Sequence, residues 1–318
     1  MDALGFDAKL YELIPEPWRH FLFEEIEPTE EELASHAPAF SPELIEKMLP
    51  YLEPLYKYYF RCEFRGAERF PENPPVFCVA NHNAMGTVEI PMLIYAWAKH
   101  FGHSRPAHGL AHRMVFQVPG VKDLLPRVGA VPAAPEVALR TLNAGKDLLV
   151  FPGGDWEASR PFSQRGKIDF DQRKGFVRIA LQTGVPIAPI VICGAEETML
   201  IFSRGEGIAH ALGIDVSMRM KTLPVTPQSL FMLWKLFQSA RGRANPLFMP
   251  LWLANSWLGF PWLPSKIVFE ILDPIDMRAE VGHIEDEKER LQAGYDLVTS
   301  RMQAKMDELQ AERTTFLG

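Results

Sequence analysis

Short apolar runs closed by polar turns punctuate the middle of this chain, with stretches of helical spacing on either side. Residues 1 to about 65 carry apolar positions such as Leu44, Ile45, Met48 and Leu49 at helical spacing. From Pro75 the pattern changes. Residues 76–80 (VFCVA) form a continuous apolar run, followed by the polar turn NHNAMGT and a helical stretch from about 88 to 100. The unit recurs: residues 148–151 end in the turn PGGD, 175–183 read as helix, and 186–193 (PIAPIVIC) are another apolar strand. Short buried strands alternating with helices predict an α/β fold. Toward the end, 284–311 place Leu291, Tyr295, Val298, Met302 and Leu309 along one stripe, which predicts a C-terminal amphipathic helix packed on a core or a partner.

Composition narrows the class. The 318 residues leave room for two average domains or one large α/β domain with additions. Hydrophobic residues make up 47% and charged residues 23%, which excludes a disordered or collagen-like chain. The net charge of −7 has the wrong sign for a whole-protein nucleic-acid binder. Cys62, Cys78 and Cys193 stand far apart, so neither a disulfide framework nor a metal cluster is expected, and a reducing compartment fits. The first residues lack a basic stretch followed by an apolar one, so no signal peptide is expected.

Two turns carry candidate chemistry. Asn81 and His82 directly follow the first apolar strand, where α/β sheets place ligands. His82 could act as a base near neutral pH, with Glu89 folding back onto its ring, or it could simply cap the next helix. The second turn, FPGGDWEASR, holds Gly153 and Gly154, whose backbone could approach an oxyanion or phosphate. Arg160, Arg165, Lys167, Arg173 and Lys174 follow within fifteen residues. They suit an anionic ligand, or a solvated loop whose charges pair with Asp155, Asp169 and Asp171. No Walker A pattern, dinucleotide glycine fingerprint or G-x-S-x-G elbow is present, which argues against a serine hydrolase.

Taken in order, these pieces resemble the glycerolipid (lysophosphatidic-acid) acyltransferase superfamily over about residues 60–280. VANHNAMGTVEIPML resembles its first block, Asn-His-x4-Asp, with Thr87 at the acidic position and Glu89 as the first carboxylate. RVGAVPAAPEVALRTLNAG resembles the second, with Ala133, Ala134 and Pro135 where an Arg often stands. FPGGDWEASR resembles the third, Phe-Pro-Glu-Gly, with Gly153 replacing the acid and Glu157 three residues after Gly154. VPIAPIVICGAEE resembles the fourth. The departures are similar to the divergent branch that includes diacylglycerol-type and actinobacterial acyltransferases.

The resemblance implies a mixed, mostly parallel sheet flanked by helices, arranged as an N-terminal helical segment (1–65), an acyltransferase domain (66–280) and a C-terminal helix (281–318). It implies acyl transfer from acyl-CoA or acyl carrier protein, acting as co-substrate, to a lipid hydroxyl, with no cofactor or metal. His82 would be the base and Glu89 its partner. Asn81, Gly153, Gly154, Glu157, Arg160, Arg165 and Lys174 would meet substrate, with the Gly153–Gly154 turn the nearest oxyanion site. A thioester hydrolase of the same fold and a non-catalytic lipid-binding or tethering protein are the alternatives. A lipid acceptor also gives meaning to residues 244–265, which lack charge and carry Trp252, Trp257 and Trp262 between basic flanks. Pro246, Pro250, Pro261 and Pro264 oppose a spanning helix. The segment therefore reads as peripheral attachment at the cytoplasmic side of a membrane, or as aromatic core.

Overall fold

The computed structural model describes residues 40–117, 121–211, 213–217, 219–231, 261–315 and 318. Among them, seven strands form one sheet: β1 (Glu63–Arg65), β2 (Phe77–Ala80), β3 (His108–Ala111), β4 (Ala130–Pro132), β5 (Leu148–Val150), β6 (Ile187–Cys193) and β7 (Val268–Ile271). Their order is β1-β7-β6-β2-β5-β3-β4. Every pairing is parallel except β6 with β7, which gives the mixed, mostly parallel sheet expected.

β2 and β6 are buried at every position, which is why they read as unbroken apolar runs. Strands β1, β3, β4 and β7 were not foreseen. The first three are three or four residues long (EFR, HGLA, AVP) and partly exposed. In β7 (VFEI), the buried Glu270 interrupts the run and is paired with Arg69 at 3.2 Å.

The helices used below are α1 (Pro42–Pro54), α2 (Glu89–Phe101), α3 (Pro135–Asn143), α4 (Gly154–Ala158), α5 (Gly175–Thr183), α6 (Met277–Val281) and α7 (Glu287–Ala311). Ser41 caps α1 by accepting the Leu44 N–H, and the chain continues through a wider π-helical turn, Leu55–Tyr59. Strand alternation sends Phe77, Val79, Val191 and Cys193 to the face covered by α3, α5 and α7. Cys78, Ala80, Ile190 and Ile192 face the opposite way, against Met92, Leu93 and Trp97 of α2.

Of the two positions open to the C-terminal helix, the structure gives the core. α7 buries Leu291, Tyr295, Val298, Met302, Met306 and Leu309. At roughly 1.5–3 kcal/mol each, these side chains together match the net stability of a whole domain. The helix is integral to the fold.

Residues 1–39 of the expected N-terminal segment lie outside the described residues, as do residues 232–260 with Pro246, Pro250, Trp252 and Trp257. Trp262 is described; it is partly buried against the α2-side core, and its carbonyl accepts the Tyr59 hydroxyl at 2.7 Å. Among the described residues, no helix is long and apolar enough to cross a membrane.

Candidate active site

The carboxyl ends of the neighbouring strands β2, β5 and β6 bring their outgoing loops together. Asn81 fixes the exit from β2. Its side-chain amide donates to Ile192 O (2.9 Å) and its oxygen accepts Ile192 N–H (2.8 Å). The chain then turns through three successive left-handed residues, Ala84 (φ 41°), Met85 (φ 55°) and Gly86 (φ 73°). Two of them carry a Cβ, so this is strained backbone of a kind found at functional sites. Hydrogen bonds from Gly86 N–H to Asn83 O (2.8 Å) and from the Thr87 hydroxyl to Ala84 O (2.9 Å) hold it.

The turn brings Glu89, the first residue of α2, beneath His82. One carboxylate oxygen of Glu89 contacts His82 Nδ1 and also accepts Asn83 N–H at 2.9 Å. Glu89 is fully buried, whereas the His82 side chain is 15% exposed. The imidazole stacks on Phe151 at 4.5 Å between centroids. With Nδ1 committed to the carboxylate, Nε2 is the nitrogen left to meet a reactant. Thr87 is bonded within the turn, and Glu89 supplies the carboxylate.

The turn after β5 has a different task from the one expected. Gly154 donates its N–H to Phe151 O (3.0 Å), so that amide is already used. Both glycines matter for space: a Cβ on Gly153 would stand 2.4 Å from Glu157 Cβ, and one on Gly154 2.6 Å from Arg173 Nη1. Glu157 is fully buried in α4. One of its oxygens accepts His82 N–H (2.9 Å); the other accepts Arg160 Nη2 (2.5 Å) and Asp169 N–H (3.2 Å). Burial pushes the Glu157 carboxyl up to about 7, with Arg160 opposing the shift.

Several expected substrate contacts therefore need correction. Asn81 and Glu157 are 0% exposed and Arg160 is 4% exposed, and all three are bonded to protein. The basic run follows the paired alternative. Arg173 meets Asp155 (2.9 Å) and Asp171 (3.4 Å), and Lys167 lies 3.9 Å from Asp169. Arg165 is exposed over the Phe162 ring, and Lys174 sits part-exposed at the start of α5. Asn83 was not singled out, yet its carboxamide accepts Arg160 Nη1 (3.1 Å) and donates to Ile192 O (3.3 Å). The second asparagine of the NHN triplet was its only signal in the sequence.

An apolar cavity of about 130 Å³ adjoins the histidine. Ile90, Leu93 and Trp97 of α2 form one wall; Gly109, Ala111 and Ala130 of β3 and β4 form the other. Phe151 lines the cavity and also stacks on His82, while Phe40 and Ile45 belong to the α1 end.

Residues 61–193 match the family model described as Acyltransferase. An uncharacterized protein of Mycobacterium tuberculosis is 30% identical over 194 residues, covering 60% of this chain and 51% of that protein. A Bos taurus protein named DGAT1/2-independent enzyme synthesizing storage lipids is 33% identical over 130 residues, covering 40% and 37%. The chain thus spans about half or less of the length of these relatives. The crystal structure of the 1-acyl-sn-glycerophosphate (LPA) acyltransferase PlsC from Thermotoga maritima matches with a TM-score of 0.50, over 86% of this chain and 82% of that one. At 19% identity, that likeness is one of fold. Residues 61–193, which hold His82, Glu89 and the turn from Phe151 to Arg160, thus match an acyltransferase family model, and the fold around them is like that of PlsC.

Proposed function

We propose that this protein moves a fatty acyl group from an acyl thioester, acyl-CoA or acyl carrier protein, to the hydroxyl of a glycerolipid or related lipid alcohol. The carrying observation is the His82–Glu89 pair at the end of β2, next to an apolar cavity. His82 Nε2 removes the acceptor proton as the hydroxyl oxygen attacks the thioester carbonyl. The tetrahedral intermediate then breaks its C–S bond, the new ester leaves, and the departing thiolate takes the proton from the imidazolium. Glu89 keeps Nε2 facing the reactants and balances the charge on the ring. The cavity takes the acyl chain. The names of the bovine and Thermotoga proteins, which concern storage lipids and a lysophospholipid, support a lipid acceptor.

Such acceptors reside in membranes. We place the protein peripherally on the cytoplasmic face, supported by the charge-free sequence 244–265, its tryptophans and its basic flanks. The test incubates the purified chain with labelled oleoyl-CoA and, separately, lysophosphatidic acid, dioleoylglycerol or hexadecanol in micelles. An ester that appears only with acceptor is the expected result. Free fatty acid released regardless of acceptor makes the protein a hydrolase, and no turnover with any of them sinks the proposal. His82→Ala should lower the rate by about 10²–10⁴-fold.

A further inference from the structure

The turn after β5 buries Glu157 and Arg160 against protein partners, so their ion pair needs an account other than substrate contact. We propose that Glu157 and Arg160 are positioning residues that hold the His82 main chain while Glu89 holds its ring. The third sequence block then acts on the reaction through the first. The proposal rests on His82 being the base.

Two successive amides leave the end of β2, and each meets a carboxylate. His82 N–H is taken by Glu157 and Asn83 N–H by Glu89, both at 2.9 Å. Above about pH 7 the Glu157 acceptor is ionised and its bond to His82 N–H is the stronger for it, so the two bonds clamp the base at two points. Glu157 is itself fixed. Arg160 donates one nitrogen to it and another to the Asn83 side chain. The bonds close a ring from His82 N–H through Glu157 and Arg160 to Asn83, the next residue along the chain.

The ring is sealed. Asn83 is 1%, Glu157 0% and Arg160 4% exposed. Arg160 Nε, which has no hydrogen-bond partner, is itself buried. A substrate phosphate would have to break into this ring to reach either charge. Gly153 completes the fit, because a Cβ there would come within 2.6 Å of the Glu157 oxygen that serves His82. Gly153 is therefore explained by the approach of Glu157, as Gly154 is by that of Arg173.

Position matters because a general base works over a hydrogen bond, and a misplacement of about 1 Å can cost about 10²-fold in rate. A positioning role predicts loss in kcat without loss of substrate affinity. Glu157→Gln keeps the volume but removes the charge that fixes Arg160. Arg160→Lys keeps the charge but loses the two-armed fork.

Both variants should lower kcat by about 10- to 100-fold with oleoyl-CoA and whichever of lysophosphatidic acid or dioleoylglycerol the wild type esterifies. Each KM should stay within about threefold. A large rise in KM at unchanged kcat would return both residues to substrate binding, and wild-type values for both parameters would equally overturn the proposal.

A second measurement needs no turnover. The chain has nine histidines, so its histidine amides can be followed in [15N]His-labelled protein, with His82 assigned by its loss in His82→Gln. The His82 amide should exchange slowly in the wild type and much faster in Glu157→Gln. Fast exchange in the wild type overturns the clamp even if no variant folds. Full turnover by His82→Ala would fail the base assignment instead, leaving the exchange result to decide the clamp.

Discussion

A methyl group at position 86 would land 2.8 Å from His82 Cε1 and 2.7 Å from Ile90 Cδ1, in a residue whose φ is +73°. Gly86→Ala should therefore cost about 1–2 kcal/mol for the left-handed backbone alone and also displace the imidazole. The expected outcome is a lower melting temperature together with a lower kcat; wild-type values for both would mean that the ring has room to move. Glu89→Gln keeps a hydrogen-bonding group but removes the charge that balances the imidazolium. It should slow turnover by about 10²–10⁴-fold with little change in KM. A kcat within a few-fold of wild type would remove Glu89 from the mechanism. At this scale the His82–Glu89 pairing was legible, because a strand end followed by a polar seven-residue step is a local pattern. The placement of Asn81, Glu157 and Arg160 was not. Their side-chain chemistry suits substrate contact, but burial decides the role, and burial comes from long-range contacts such as Asn81 with Ile192 and Arg160 with Asn83.

Among the elements, legibility followed burial and length. Strands β2 and β6, buried throughout, and helix α5, with one apolar face, announce themselves. β3 and β4 do not, because their small residues suppress the apolar signal: HGLA and AVP. Those same residues make the cavity. Gly109, Ala111 and Ala130 leave open the space between the sheet and α2 that larger side chains would fill. A Cβ built on Gly109 meets nothing within 4 Å, so Gly109→Val should fold and should suit a strand better than glycine does. If the cavity holds the acyl chain, the valine should lower turnover of oleoyl-CoA by about tenfold or more while sparing decanoyl-CoA, since one filled contact in an apolar pocket discriminates by about 10–200-fold. An unchanged chain-length profile would place the acyl chain elsewhere.

For the whole molecule, stability is tied to buried acids behind the site. After β6, Glu197 meets Ser265 Oγ at 2.8 Å and Arg313, the latter just beyond the end of α7. Gln310 of α7 reaches the adjacent Glu196 at 3.2 Å. The C-terminal helix, the segment returning at 261–266 and the fourth sequence block thus share one buried cluster. Burial raises the Glu197 carboxyl to about 7, with Glu196 adding to the rise and Arg313 and Arg165 opposing it. Glu157 is raised to about 7 as well. A carboxyl that keeps its proton in the folded state but loses it near pH 4.5 when unfolded contributes stability that is full below pH 4.5. That contribution is lost as pH climbs to 7, at no more than about 1.4 kcal/mol per pH unit for each group. His108, lowered by burial, acts in the opposite sense, with stability gained as pH rises through its range. The contribution of Glu197 is isolated by difference. Glu197→Gln cannot titrate, so its stability relative to wild type should rise steadily between pH 5 and 7.5, whatever its absolute deficit. Melting temperatures of the two proteins at pH 5, 6, 7 and 8 decide it. A constant gap across that range would mean that Glu197 is already ionised at pH 5, held there by Arg313 despite its burial.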